Sequence, residues 1–181
     1  MSKVATKKDN TSVLVIVDMQ WQFDSSRNRS TQKACQKEII DAMSKNMPII
    51  FLEYESFGPT LPSLKKLVAD YPFAFFRTKG NDDGSIELSH ALKEQDIKPK
   101  KIIICGVNTE CCVASTIYGL ASQLRNTEIV IVYEATNSQF GKKKQKEGYK
   151  NVFSSFVGYA RIGSCALKAK YHFAANQNVL R

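Results

Sequence analysis

Ile102-Ile103-Ile104-Cys105 places four apolar side chains in succession. A run of this kind cannot alternate between a wet and a dry face, so it suits a strand buried on both sides of a parallel sheet. Gly106 interrupts the run, and Asn108 or Thr109 is placed to cap a helix. Val113, Ile117, Leu120, Ala121 and Leu124 then recur at helical spacing. Cys111 and Cys112 therefore fall in the first turn of a helix leaving the carboxyl end of a central strand. Open α/β sheets bind ligands at such strand ends, and a helix N-terminus lowers a thiol's pKa. Chemistry is expected here.

The remaining chain repeats the alternation. Ser12 to Val17 is a second continuous apolar run ending at Asp18. Ser30 can cap a helix to about Asn46, with Ala34, Cys35, Ile39, Ala42 and Met43 inward. Pro48 to Leu52 reads as the next strand, with Glu53, Tyr54 and Glu55 at its end, followed by a short helix over Ser63 to Ala69. Phe73 to Phe76 reads as a strand closing with Arg77-Thr78-Lys79, before the turn Gly80 to Gly84 and a helix capped by Ser85. Glu128 to Tyr133 is the fifth strand, ending through Glu134 to Asn137. A helix near Tyr149 to Tyr159 and a short sixth strand from Ala160 to Gly163 complete the pattern. Strands alternating with helices predict a three-layer, Rossmann-like α/β fold: an open parallel sheet of about six strands, helices on both faces.

At 181 residues one domain is expected over 11–181, preceded by a flexible tail, 1–10. No apolar stretch is long enough to span a bilayer, and the polar, lysine-bearing N-terminus lacks an apolar signal core. A cytoplasmic protein without a membrane partner is expected. Five cysteines without CxxC spacing fit reduced thiols better than a disulfide or zinc framework. The net charge of +9 comes from dispersed lysines with no nucleic-acid-binding motif, so solvated surface is expected rather than a nucleic-acid partner.

Asp18, Lys79 and Cys112 stand at the carboxyl ends of three separate predicted strands, which converge on one crevice in an open parallel sheet. A carboxylate, an ammonium and a thiol together make a nucleophilic site without histidine. The thiolate attacks a carbonyl, the cation and helix dipole favour charged sulfur, and the carboxylate shuttles protons. Each residue alone has a plainer reading: a turn-capping Asp, a solvated Lys, a buried Cys. The case rests on their coincidence of position.

Val15 to Phe23, containing Asp18-Met19-Gln20-Trp21-Gln22-Phe23, resembles the opening DMQxDF motif of the isochorismatase-like cysteine hydrolases. Gly106 to Val113 resembles that family's GVxTxxCV nucleophile motif. The resemblance spans roughly residues 11–170, with both motifs in the expected order and on the expected elements. It implies an Asp-Lys-Cys triad matched by Asp18, Lys79 and Cys112, with Cys111 as a packed neighbour. It also implies a cis Val107–Asn108 peptide, with the backbone N–H groups of Asn108 and Cys112 forming the oxyanion hole, and a homo-oligomer, dimer or tetramer.

Three departures matter. Gln22 replaces the motif's acidic residue. Arg77 competes with Lys79 as the triad cation, although Arg is the poorer proton-relay partner. The Asp-x-His metal pair of nicotinamidases has no match; Glu53-Tyr54-Glu55 stands in its place, and no metal or cofactor is expected. A nucleophilic cysteine also argues against isochorismatase itself. The expected function is hydrolysis of a small amide, ureide or related C–N bond through a thioester. Trp21, Phe23, Glu53, Tyr54 and Asn137 are the candidate substrate contacts. The alternative is a non-catalytic binding protein that uses the basic surface. A nucleotide-dependent oxidoreductase lacks its GxGxxG after the first strand.

Overall fold

In the computed structural model, residues 8–124, 126–141 and 167–170 are described. Six parallel strands form one sheet in the order β3-β2-β1-β4-β5-β6. They are β1 (Ser12–Val17), β2 (Ile49–Tyr54), β3 (Ala74–Lys79), β4 (Lys101–Val107), β5 (Glu128–Asn137) and β6 (Leu167–Lys170). Among the described residues the α-helices are α1 (Arg29–Ser44), the single turn α2 (Pro62–Lys65), α3 (Ser85–Glu94) and α4 (Ala114–Gln123).

The two-residue period of β1 divides its side chains between two cores. Val13, Val15 and Val17 join Ile102 and Ile104 beneath α3 and α4. Leu14 and Ile16 join Phe51 and Cys105 beneath α1, whose Cys35, Ile39 and Ala42 face them. Burial on both faces is why the strands read as unbroken apolar runs. The chain order reverses between β1 and β4, so the crevice of this sheet opens beside Asp18 and Asn108.

Several boundaries differ from expectation for identifiable reasons. Asn28, not Ser30, caps α1, accepting from the N–H groups of Ser30 and Thr31. β2 extends to Tyr54 because its ladder with β3 continues through polar residues at the strand ends, while β3 closes at Lys79 as expected. β5 runs on to Asn137, with a register irregularity between Ile104 and Gly106 on β4. Contacts with the domain begin within the expected tail: Lys8 Nζ donates to the Gln95 carbonyl at 2.6 Å, and the Asp9 N–H to that of Asn46 at 2.9 Å. The sixth strand lies at Leu167–Lys170. The helix expected near Tyr149 to Tyr159 and the strand start at Ala160 to Gly163 fall outside the described residues.

Gly106 is fixed by close approach. It pairs with Val17, has φ of 122°, and a Cβ there would run into the Val17 backbone. An L side chain is both strained and blocked at this position. Gly106→Ala is expected to destabilise the fold by about 2–4 kcal/mol in guanidinium unfolding; a change below about 0.5 kcal/mol would show that β1 and β4 part there freely.

Candidate active site

Asp18 follows β1 with φ of 50°, a left-handed conformation that Asp tolerates better than most residues. This bend turns a fully buried carboxylate into the crevice. Lys79 ends β3, two strands away, with Tyr54 of β2 in register beside it. Two inter-strand spacings are about 10 Å, a gap that calls for a long cationic side chain. Lys79 provides one: its fully buried stem carries Nζ over the Tyr54 ring at 4.3 Å and to 2.9 Å from Asp18 Oδ2. Arg77 instead pairs with Glu94 of α3. The cation reaching Asp18 is Lys79.

The nucleophile motif departs from a plain helix start. Thr109–Val113 forms one π turn, in which the Asn108 carbonyl accepts from the N–H groups of both Cys111 and Val113. Such turns widen the helix locally and often occur at functional sites. Neither expected cap operates as one: Asn108 makes no side-chain cap bond, and its Oδ1 accepts from Ser25 Oγ at 2.5 Å. The Val107–Asn108 peptide is cis. Cys112 is buried while Cys111 is half-exposed.

Cys112 Sγ donates to Asp82 Oδ1 at 3.4 Å, and Asp18 also interacts with it by charge and hydrogen bonding. Burial and the Asp18 carboxylate push the Cys112 thiol up, and Lys79 only partly offsets them. The resting sulfur is thus a neutral thiol at pH 7. This corrects the expectation of a stabilised thiolate: desolvation and two carboxylates outweigh the one ammonium beside the sulfur. Burial likewise holds Asp18 above the usual carboxylate range, against the lowering effect of Lys79 and of the hydrogen bond with Cys112. Outside the ion pair, neither Asp18 oxygen receives a well-directed hydrogen bond. A buried carboxylate with spare lone pairs and a raised pKa is equipped to take a proton.

The other candidates separate. Phe23 stacks on Phe57 at 4.5 Å and meets Tyr54 edge-on, making an aromatic wall beside Lys79. Trp21 is 61% exposed, with Arg27 over its ring. Glu53 Oε1 accepts from the Thr60 N–H at 2.7 Å. Asn137 Nδ2 donates to the Ser25 carbonyl at 2.9 Å, while its own carbonyl accepts from Thr109 Oγ1. Glu53, through Oε1, and Asn137, through Nδ2, therefore hold loops at the strand ends. Trp21 lies on the surface instead of lining the crevice. Among the described residues no three His, Cys, Asp or Glu side chains gather to hold a metal ion. With Glu53 engaged by Thr60 and Glu55 exposed, the segment that replaces the metal pair does not fit a metal site.

Two contributors, Gln20 and Asp82, were given no role from the sequence, and a third, Gln22, was noted there as a departure from the motif. Gln20, fully buried, clamps β2 by donating to the Tyr54 and Gly58 carbonyls and accepting from the Tyr54 N–H. Gln22, with its amide nitrogen toward the loop, donates to the carbonyls of Ser56 and Phe57, which an acidic residue there could not do. Asp82 lay within the Gly80 to Gly84 turn signal, whose polar composition gave no hint of a thiol partner.

The isochorismatase domain family model matches residues 12–161. The chain belongs to that family. It is similar in structure to a ribonuclease from Caenorhabditis elegans (TM-score 0.70, 20% identity, covering 83% of this chain and 77% of that one). It is also similar to a nicotinamidase from Staphylococcus aureus (0.68, 19%, 93% and 99%) and to an N-carbamoylsarcosine amidase from Thermoplasma acidophilum (0.64, 14%, 88% and 96%). At these identities the likeness is one of fold. No curated protein sequence matches the chain. Among the described residues no helix is long and apolar enough to cross a membrane.

A thiol held above its ordinary pKa stays protonated in the fold where the unfolded chain's thiol ionises. The stability contributed by Cys112 is complete below its reference value of 9.0 and is lost as pH rises from there toward the folded value. Urea unfolding between about pH 8 and 10.5 should show stability falling faster in the wild type than in Cys112→Ala. The difference is bounded at about 1.4 kcal/mol per pH unit, and equal slopes would contradict the raised thiol.

Proposed function

We propose that this isochorismatase-family chain is a cysteine-dependent hydrolase of a small amide, ureide or related C–N bond. The observation that carries the reading is the Cys112 thiol beside the buried Asp18 carboxylate, itself paired with Lys79 at 2.9 Å. Asp18 takes the thiol proton as sulfur attacks the carbonyl carbon, giving a tetrahedral oxyanion. Protonated Asp18 then delivers that proton to the departing nitrogen, the C–N bond breaks and a thioester remains. Asp18 next deprotonates a water that attacks the thioester. Collapse breaks the C–S bond, and the sulfur recovers its proton from Asp18. The net products are an acid and an amine. Lys79 balances the carboxylate's charge at each stage.

The backbone N–H groups of Asn108 and Cys112 are the proposed oxyanion donors. Phe23 and Tyr54 are the proposed substrate contacts, offering a flat wall to a planar acyl group. A neutral resting thiol suits this scheme, because the base that ionises it is in contact and activation can coincide with substrate binding. Against a panel of small amides, read by ammonia or amine release and by a thioester mass adduct, Cys112→Ala is expected to lose at least about a thousandfold in kcat/KM. Full activity in that variant would exclude the covalent route.

The net charge of +9 favours one second reading, in which the basic surface binds RNA. Retention of the protein on RNA that weakens steeply from low to moderate salt, and is unchanged by Cys112→Ala, is the outcome expected of it. Absence of salt-dependent retention excludes it.

A further inference from the structure

We propose that Asp82 is a specificity residue of this site, holding the resting thiol and biasing the crevice toward cationic or neutral acyl groups over anionic ones. The proposal deepens the hydrolase reading and rests on Cys112 as the reacting group.

Asp82 Oδ1 is the acceptor of the Cys112 thiol at 3.4 Å, so an incoming carbonyl carbon must arrive beside that carboxylate. The loop carrying it is pinned on both sides. Lys79 Nζ donates to the Asn81 carbonyl at 2.9 Å, and Asn81 Oδ1 accepts from the Asp83 N–H at 2.8 Å. Beyond Asp82, Asp83 Oδ1 accepts from the Ser85 N–H at 2.8 Å, and the Gly84 N–H donates to Thr116 Oγ1 of α4 at 3.0 Å. Gly119 lets this loop lie against α4, since a Cβ there would collide with Asp83 and Ser85. Asp82 is therefore held over the sulfur by its neighbours' bonds, while its own side chain remains open to solvent.

Its charge is also uncompensated. Among the described residues no lysine or arginine pairs with Asp82, and the nearby ammonium, Lys79, is engaged by Asp18. Two carboxylates and one ammonium around the sulfur leave an excess negative charge in a protein whose net charge is +9. A substrate carboxylate next to the scissile bond meets repulsion there. An ammonium or amidinium finds a partner, and its arrival frees the thiol for Asp18. Such a charge a few ångströms from the reacting atom acts strongly and is weakened by salt.

The test uses a matched pair of methanethiosulfonates, one bearing a trimethylammonium and one a sulfonate. In each, the protein thiolate attacks the sulfenyl sulfur to form a mixed disulfide and release methanesulfinate. Labelling rates at Cys112 are read by peptide-resolved mass spectrometry on the native full chain, normalised to 2-mercaptoethanol. The wild type is expected to prefer the cation by roughly tenfold or more at low salt. Asp82→Asn should lose most of that preference, Asp82→Glu should keep it, and added salt should shrink it. A preference that is absent, or equal in wild type and Asp82→Asn, overturns the proposal even where Cys112-dependent amide hydrolysis persists. The charge preference with no hydrolysis of any amide removes the hydrolase reading and leaves Asp82's role standing. A native Cys112 that reacts with neither reagent overturns the charge bias, while the hydrolase reading is decided separately by the Cys112→Ala comparison on the amide panel.

Discussion

The buried ion pair between Asp18 and Lys79 ties together everything else in the site. Two fully buried charges are tolerable only because each compensates the other. Their meeting requires β1 and β3 to lie in one parallel sheet with β2 between them, so that a lysine stem can cross a single intervening strand. Tyr54 underlies that crossing and Gly84 packs against the stem, so the pair depends on β2 and on the loop after β3 alike. The same pair leaves Asp18 with unused lone pairs beside a thiol.

Around that pair the protein keeps its sulfur neutral. Desolvation and two carboxylates hold the proton on Cys112, and the π turn presents the thiol to them from the start of α4. The acceptor of the thiol's proton is built in, since the Asp18 carboxylate interacts with the sulfur directly. Gln20, Gln22 and Asn137 contribute by holding β-strand ends and loops in register, which keeps the aromatic wall of Phe23, Tyr54 and Phe57 beside the charged groups.

Local pattern determined a large share of this. The unbroken runs of β1 and β4, the helical spacing from Val113 to Leu120 and the turn at Gly80 to Gly84 specify strand, helix and loop by burial periodicity, which a sequence displays directly. A parallel sheet follows from their alternation. With it comes the convergence of strand ends at Asp18, Lys79 and Cys112, since all carboxyl ends of a parallel sheet lie at one edge. Family membership, matched over residues 12–161, was equally legible from two short motifs.

What tertiary structure decided was the partner of each polar side chain. Arg77 and Lys79 are two residues apart and chemically alike, yet one reaches Glu94 and the other Asp18, because only the strand tip overlooks the crevice. Glu53 and Asn137 sit at strand ends as anticipated, but nearby backbone donors and acceptors claim them. Asp82 came from a turn whose composition is ordinary, and its contact with the thiol exists only because the loop folds onto α4. The sign of the thiol's pKa shift was likewise out of reach, since it sets burial and the carboxylates arriving from β1 and a loop against the single ammonium from β3. Sequence order fixes which groups lie at the edge of the sheet; only packing in three dimensions fixes which of them touch, and electrostatics acts through distance and burial.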